Sequence, residues 1–106
     1  MPKYLLHVNY IGEGIKGLLS EGGSSRKAAA EAACKSVGAS LESMYYALGD
    51  TDCYVIADAP NHHAVTALSL TLNATGRVRI TSTVLMTAED VDAAAKLSPS
   101  YRAPGQ

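Results

Sequence analysis

The sequence predicts an α+β fold, in which an antiparallel four-stranded sheet carries its helices on one face. Two observations lead to this prediction. Apolar and polar residues alternate along Tyr4 to Tyr10, a pattern typical of a strand with one buried face. The segment Leu41 to Met86 then contains two apolar runs joined by a short turn, a helical pattern and a final apolar run. A chain of 106 residues has the length of one such domain.

The first strand is followed by a glycine-rich stretch and a long helix. A short helical piece is expected over Ile15 to Leu19. Ser24 or Ser25 is predicted to cap the long helix, which runs through Val37, and Gly38 supplies its C-terminal stop. Because this helix is rich in alanine, we expect it to lie close to the sheet.

The next two strands are predicted over Leu41 to Leu48 and Cys53 to Ala57. Only the turn from Gly49 to Asp52 separates them, so they must form a hairpin. A turn with an even number of residues is expected to place Leu48 opposite Cys53. Because side chains alternate along a strand, this pairing determines which face of the sheet each residue of the two strands lies on.

The second half of the chain adds a helix, a strand and a last helix. Asn61 is predicted to cap the helix that runs through Leu72, and Val78 to Met86 is the fourth strand. Thr87 to Asp90 has the pattern of a capping box for a final helix, Ala88 to Leu97. This order gives the ferredoxin-like βαββαβ topology plus a C-terminal helix. We expect one domain over residues 1–97 and a flexible tail over 98–106.

The order of these elements, the Gly-x-x-Asp turn that ends at Asp52 and the strand end Asp58-Ala59-Pro60 resemble the GYD domain family over Lys3 to about Lys96. The resemblance implies a ferredoxin-like domain with dimeric α/β-barrel association, and implies no particular reaction. The chain departs from the family at Thr51, where an aromatic residue usually precedes the turn acid.

The resemblance also implies roles for two acids. Asp52 is the family's turn acid, and an Asp in a tight turn commonly accepts hydrogen bonds from backbone N–H groups. Asp58 corresponds to the family's acid at the strand end. Arg26 and Arg79 fall where the family tends to have arginine, so an ion pair between Asp58 and one of them is an expectation.

Composition indicates the kind of partner. Charged residues make up 18% of the chain, below the usual figure of about 25%, which favours apolar surface covered by a second copy in a homodimer or higher oligomer. The net charge is −1 and the basic residues are scattered, so nucleic-acid binding is not expected. No apolar run approaches the roughly 20 residues that cross a bilayer, and the N-terminus lacks a secretory pattern. We therefore expect a cytoplasmic protein without a membrane partner, in which Cys34 and Cys53 are buried reduced thiols.

The hairpin register separates two sheet faces. The more apolar set is expected beneath the helices: Leu6, Val8, Met44, Tyr46, Leu48, Cys53, Val55, Ala57, Val78, Ile80 and Val84. The other, open face mixes apolar and polar groups, as small-molecule pockets do. We predict that its ligand-binding residues are His7, Asn9, Tyr45, Tyr54, Asp58, Arg79, Thr81 and Thr83.

His7 is the residue of the open face best suited to proton transfer, because imidazole titrates near neutral pH. His7 and Tyr45 are therefore the candidate catalytic residues, and an interface histidine bonded to Asn9 or a tyrosine is the alternative. The adjacent pair His62 and His63 is not expected to share a metal ion, since neighbouring helical residues diverge by about 100°. No metal and no cofactor is predicted.

Three functions are compatible with these features. The first is an oligomer whose sheets enclose a cavity for a small, partly apolar molecule. The second is a cofactor-independent oxygenase or isomerase, in which His7 and a tyrosine transfer protons. The third is a structural or interaction module, in which the open face is only a dimer core.

Overall fold

The structure is a computed structural model that describes all residues from Met1 to Gln106. Its four strands form one antiparallel sheet in the order β2-β3-β1-β4, so the predicted α+β, ferredoxin-like fold is confirmed. The elements are β1 Lys3–Tyr10, α1 Gly14–Glu21, α2 Gly23–Ser36, β2 Ser40–Tyr46, β3 Cys53–Asp58, α3 His62–Ala74, β4 Val78–Leu85 and α4 Ala88–Ala95.

The central strands alternate between the core and the open face, as predicted. Tyr4 and Leu6 of β1 are buried beneath the helices, and so are Cys53 and Val55 of β3. Ile80 of β4 completes this layer against α3. The core therefore lies between the sheet and the helices, and the other face carries the polar and aromatic residues together with Leu5 and Ile56.

The β2–β3 hairpin has a different register from the predicted one. Tyr46 lies opposite Cys53, and β2 ends there, so Leu48 belongs to the turn and its side chain is fully exposed. The predicted partner of Cys53 is thus wrong by two residues. A shift of two residues preserves the alternation, so the predicted face of Met44, Tyr46, Cys53 and Val55 is still correct.

Helix α2 begins differently from the prediction. Neither Ser24 nor Ser25 caps it; the N-cap is Gly22, with φ of 84° and no side-chain cap. Gly22 joins α1 directly to α2, and only glycine adopts this backbone conformation readily. The predicted stop at Gly38 is confirmed, with φ of 77°.

The caps of α3 and α4 agree with the sequence. Asn61 Oδ1 accepts a hydrogen bond from the backbone N–H of Ala64 at 3.1 Å. Thr87 and Asp90 form a reciprocal capping box, with bonds of 3.1 and 3.0 Å. Both helices therefore begin where the side-chain chemistry predicts.

Residues 86–106, here called the C-terminal arm, extend away from the sheet. No residue of α4 is buried, and Val91 and Leu97 are 54% and 79% exposed. Val84 was predicted beneath the helices, but its side chain is 60% exposed. The radius of gyration is 16.9 Å, whereas a compact domain of this length has about 13 Å.

Candidate functional site

The open face carries every residue that the sequence analysis selected for ligand binding. The strand registers place them in rows across the sheet. One row contains Tyr45, Tyr54, His7 and Thr81, in that order across β2, β3, β1 and β4. Tyr45 is the most exposed large side chain of this row, at 72%. A continuous strip of phenol, imidazole and hydroxyl groups thus crosses the face.

His7 lies in the middle of this strip. Its Nε2 is 3.3 Å from Thr83 Oγ1, a diagonal neighbour on β4. Its ring meets the Tyr54 ring edge-on, with centroids 5.4 Å apart. Leu5 and Ile56, paired in the adjacent row, are half-buried and form the apolar part of the face. His7 is therefore next to one hydroxyl, one phenol ring and an aliphatic floor.

Asp58 is engaged by a lysine and not by an arginine. Lys3 Nζ contacts Asp58 Oδ1 at 2.9 Å and Glu42 Oε1 at 2.6 Å. These hydrogen bonds, first to Glu42 and then to Asp58, raise the pKa of Lys3 above its usual value. The expected pairing of Asp58 with Arg26 or Arg79 is thus wrong, because Lys3 lies directly opposite Asp58 in the β1–β3 register.

The two arginines lie in different surroundings. Arg26 is on the helix side, 3.6 Å from Glu21. Arg79 is opposite Asn9 on the open face and makes no ion pair. Its guanidinium is therefore a cation on this face with its hydrogen-bond donors free.

The side chains of Asn9 and Asp52 join the end of β1 to the β2–β3 turn. The N–H of Asp52 donates to Asn9 Oδ1 at 3.0 Å, and the N–H of Tyr10 donates to Asp52 Oδ2 at 3.0 Å. These bonds continue the β1–β3 ladder after its last pair, Val8 with Cys53. The expectation that Asp52 accepts a backbone N–H is confirmed, and the side-chain oxygen of Asn9 is committed to the turn.

The single chain has no cavity on the open face. An apolar cavity of about 180 Å³ lies on the other side of the sheet, between α2, α3 and the central strands. Ala29, Ala30 and Ala33 of α2 line it. The alanine-rich helix was expected to lie close to the sheet, but these small side chains leave the space beneath them unfilled.

Comparison with known proteins gives one result. The family model of the GYD domain matches residues 4–95 of the chain. The chain belongs to the GYD domain family. No curated protein and no solved structure gives a significant match. The resemblance identified from the turn at Asp52 and the strand end at Asp58 is thereby confirmed.

The remaining chemically reactive groups of this GYD domain do not form a second cluster. The rings of His62 and His63 lie against each other at the start of α3, tilted by 44° with centroids 4.4 Å apart, and both side chains are exposed. No group of three or more potential metal ligands is present. None of the helices is long and apolar enough to cross a lipid bilayer.

Cys34 and Cys53 are buried free thiols, as predicted. Burial, and to a lesser extent the charge of Asp52, raises the pKa of the Cys53 thiol to about 11. Burial also raises the pKa of Cys34. Since the thiolate is the reactive form of cysteine, neither side chain is set up as a nucleophile.

The sequence analysis missed the residues around the helix-side cavity. Tyr10, Arg26 and Arg77 lie where that cavity opens, and none of the three was selected for binding. The available signal was the run of alanines on the inner side of α2. Because alanine side chains are small and the sheet residues beneath them are of medium size, such a run leaves a space between helix and sheet that no side chain fills.

Proposed function

We propose that this GYD domain is a homo-oligomeric small-molecule-binding protein, in which the open sheet faces of two copies pair and enclose a cavity. The proposal rests on the exposure of the open face. Tyr45 is 72% and Tyr54 38% exposed on a sheet whose other side is already covered by helices. Aromatic surface of this kind is typical of interfaces and binding sites.

The C-terminal arm supports the same association. Val91, Leu97 and Tyr101 are all more than half exposed, and α4 buries nothing against its own chain. A helix of eight residues is too short to be stable in water without packing. We propose that a second copy supplies this packing.

The chemistry of the open face indicates the class of ligand. Leu5 and Ile56 offer apolar contact, while His7, Thr83 and Arg79 offer hydrogen bonds and one positive charge. A few polar groups above an apolar floor favour a small, partly apolar molecule with a polar or anionic substituent. Both cysteines are free thiols, which fits a reducing compartment, and we propose the cytoplasm.

A cofactor-independent oxygenase or isomerase is the second candidate function. The observation that favours it is the contact of His7 with the Tyr54 ring, because a base beside a phenol can pass a proton to and from a bound substrate. The neighbouring phenol belongs to Tyr54, whereas the sequence analysis had selected Tyr45.

The proposed interface is tested with two variants, one that places a negative charge on the open face and one that places it on the helix side. Tyr45→Glu puts a carboxylate into a surface that becomes desolvated on pairing, so we expect monomers by light scattering at micromolar concentration. Leu70→Glu, at an exposed position of α3, should leave the oligomer intact. If wild-type protein is already a monomer, or if only Leu70→Glu dissociates it, the open face is not the interface.

The ligand site is tested with a matched pair of histidine variants. His7→Ala should leave the melting temperature within a few degrees of wild type while abolishing retention of any molecule that co-purifies. His62→Ala changes an exposed histidine outside the face and should retain that molecule. A large loss of stability in His7→Ala, with no ligand detected in wild type, would identify His7 as a structural interface residue.

A further inference from the structure

A partly open apolar cavity, here called the chamber, lies under the helices of this domain. Helix α2 packs on β2 and α3 packs on β4, which leaves a gap above the central strands. Leu6 and Val55 form the floor of the gap, Ala33 one wall and Leu68 the other. Its volume is about 180 Å³. Protein interiors are normally packed without voids of this size, so the chamber has room for a guest.

The chamber suits an apolar guest and not water. Nearly all its lining is hydrophobic, and no buried polar side-chain atom lacks a hydrogen-bond partner. A dry apolar cavity of about 150 Å³ in another protein binds benzene, which sets the scale for an occupant. An empty cavity lowers stability in proportion to its volume, so a guest that fills it is favoured.

The chamber opens into a polar vestibule. This second pocket, of about 240 Å³, shares Tyr10, Arg26, Leu72 and Val78 with the chamber. The two spaces are therefore adjacent. The vestibule adds Arg77 to Arg26, and thus holds two guanidinium groups.

The vestibule is lined by two arginines, Arg26 and Arg77, and two glutamates, Glu13 and Glu21. Arg26 Nη1 is 3.6 Å from Glu21 Oε2, longer than a hydrogen bond, and Arg77 makes no ion pair. Glu13, the other acid of the vestibule, contacts Lys16 at 3.5 Å. Both guanidinium groups thus have donors free for a carboxylate, which they recognise well.

We propose that chamber and vestibule together bind a small carboxylic acid, with its apolar body of about benzene size in the chamber and its carboxylate between Arg26 and Arg77. Tyr10 lies at the junction of the two spaces, where burial raises its pKa to about 12. A tyrosine hydroxyl is neutral at physiological pH even with its ordinary pKa of about 10, so it does not repel the anion. This site shares no residue with the open face and stands independently of it.

The site is tested with hexanoate as the probe and its uncharged analogue hexanamide as the comparison. In wild-type protein, hexanoate should shift the methyl NMR signals of Ala33 and Leu68 and leave Val91 unchanged. We expect a Kd of about 1 mM or tighter for a ligand of this size. Hexanamide should bind roughly tenfold more weakly, because it lacks the charged hydrogen bonds.

Two variants with matched controls locate the two halves of the ligand. Ala33→Leu fills the chamber and should abolish binding, whereas Ala28→Leu, on the exposed side of α2, should not. Arg26→Gln should weaken hexanoate roughly tenfold without affecting hexanamide. Arg79→Gln, on the open face, should change neither.

Three results would overturn the proposal. The first is an absence of chamber shifts in wild-type protein at 10 mM hexanoate, about ten times the expected limit on Kd. The second is equal affinity for hexanoate and hexanamide, which would exclude the carboxylate. The third is unchanged hexanoate binding by folded Arg26→Gln. The first two measurements use wild-type protein, so they decide the matter even if a variant does not fold.

Discussion

Gly14 shows how one residue fixes the position of an element. A Cβ added at Gly14 would lie 1.8 Å from the backbone oxygen of Arg77, the residue directly before β4. Ile11 donates its N–H to the same oxygen at 2.9 Å. The close approach of α1 to β4 therefore depends on the missing side chain.

Gly14→Ala should accordingly destabilise the domain by roughly 2–4 kcal/mol, because either α1 or β4 must move. Gly17→Ala is the matched control in the same helix. A Cβ at Gly17 meets only Glu21, at 4.0 Å, so this variant should gain about 0.5–1 kcal/mol from helix propensity. Urea unfolding measures both changes in the free energy of unfolding. Equal changes in the two variants would contradict the close contact between Gly14 and the backbone of Arg77.

The buried Cys53 and the half-buried Tyr10 make the stability of the domain depend on pH in the alkaline range. Burial raises the pKa of Cys53 from 9.0 to about 11, and that of Tyr10 from 10.0 to about 12. The folded state therefore holds both protons more tightly than the unfolded chain does. Their contribution to stability is complete below pH 9 and is lost as the pH rises from 9 to about 12.

Cys53→Ala separates the two contributions. The free energy of unfolding of wild-type protein under reducing conditions should fall between pH 8.5 and 11, with Cys53 supplying up to roughly 3 kcal/mol of that loss. Cys53→Ala should lose less over the same interval, because only the Tyr10 contribution remains. Identical pH profiles for the two proteins would show that Cys53 is not the group involved.

At the scale of elements, β1 is held to the β2–β3 turn by side chains as well as by its ladder. Asp52→Ala removes the acceptor for the Tyr10 N–H and should lower the free energy of unfolding by about 1–3 kcal/mol. Asp50→Ala, in the same turn, is the control, since the Asp50 side chain is exposed and makes no hydrogen bond. If both variants lost a comparable free energy of unfolding, the loss would come from any substitution in the turn and not from the Asp52 hydrogen bond.

The elements themselves were largely predictable from the sequence, because their signals are local. Period-two alternation identified β1, and the side chains of Asn61 and Thr87 marked two helix starts. The register of the hairpin was not predictable, since the length of the turn is a property of backbone geometry. The start of α2 was missed for a similar reason: the left-handed backbone at Gly22 replaces a side-chain cap.

The site was less predictable than the fold. The face of His7 and Tyr54 follows from strand alternation, and the structure places them in contact. The partner of Asp58 depends on strand register, which brought Lys3 opposite it in place of an arginine. The helix-side chamber depends on the spacing of α2 and α3, which no local pattern encodes.

On the scale of the whole molecule, the shape of the chain is unusual for its length. It extends 57 Å along its longest axis, against 32 and 23 Å along the others. The C-terminal arm accounts for this length, and its exposed apolar residues together with Tyr45 leave one chain incompletely packed. In the oligomer that we propose, a second copy would cover both the open face and the arm.

Native mass spectrometry of freshly expressed wild-type protein tests this central claim most directly, because it reports the number of subunits and any retained small molecule together. We expect a dimer or higher oligomer at micromolar concentration, with a mass above the sum of its 11.0 kDa chains when a ligand is bound. The additional mass should disappear on mild unfolding. A single chain of 11.0 kDa at the same concentration would contradict the pairing of the open faces, and with it the proposed inter-sheet site.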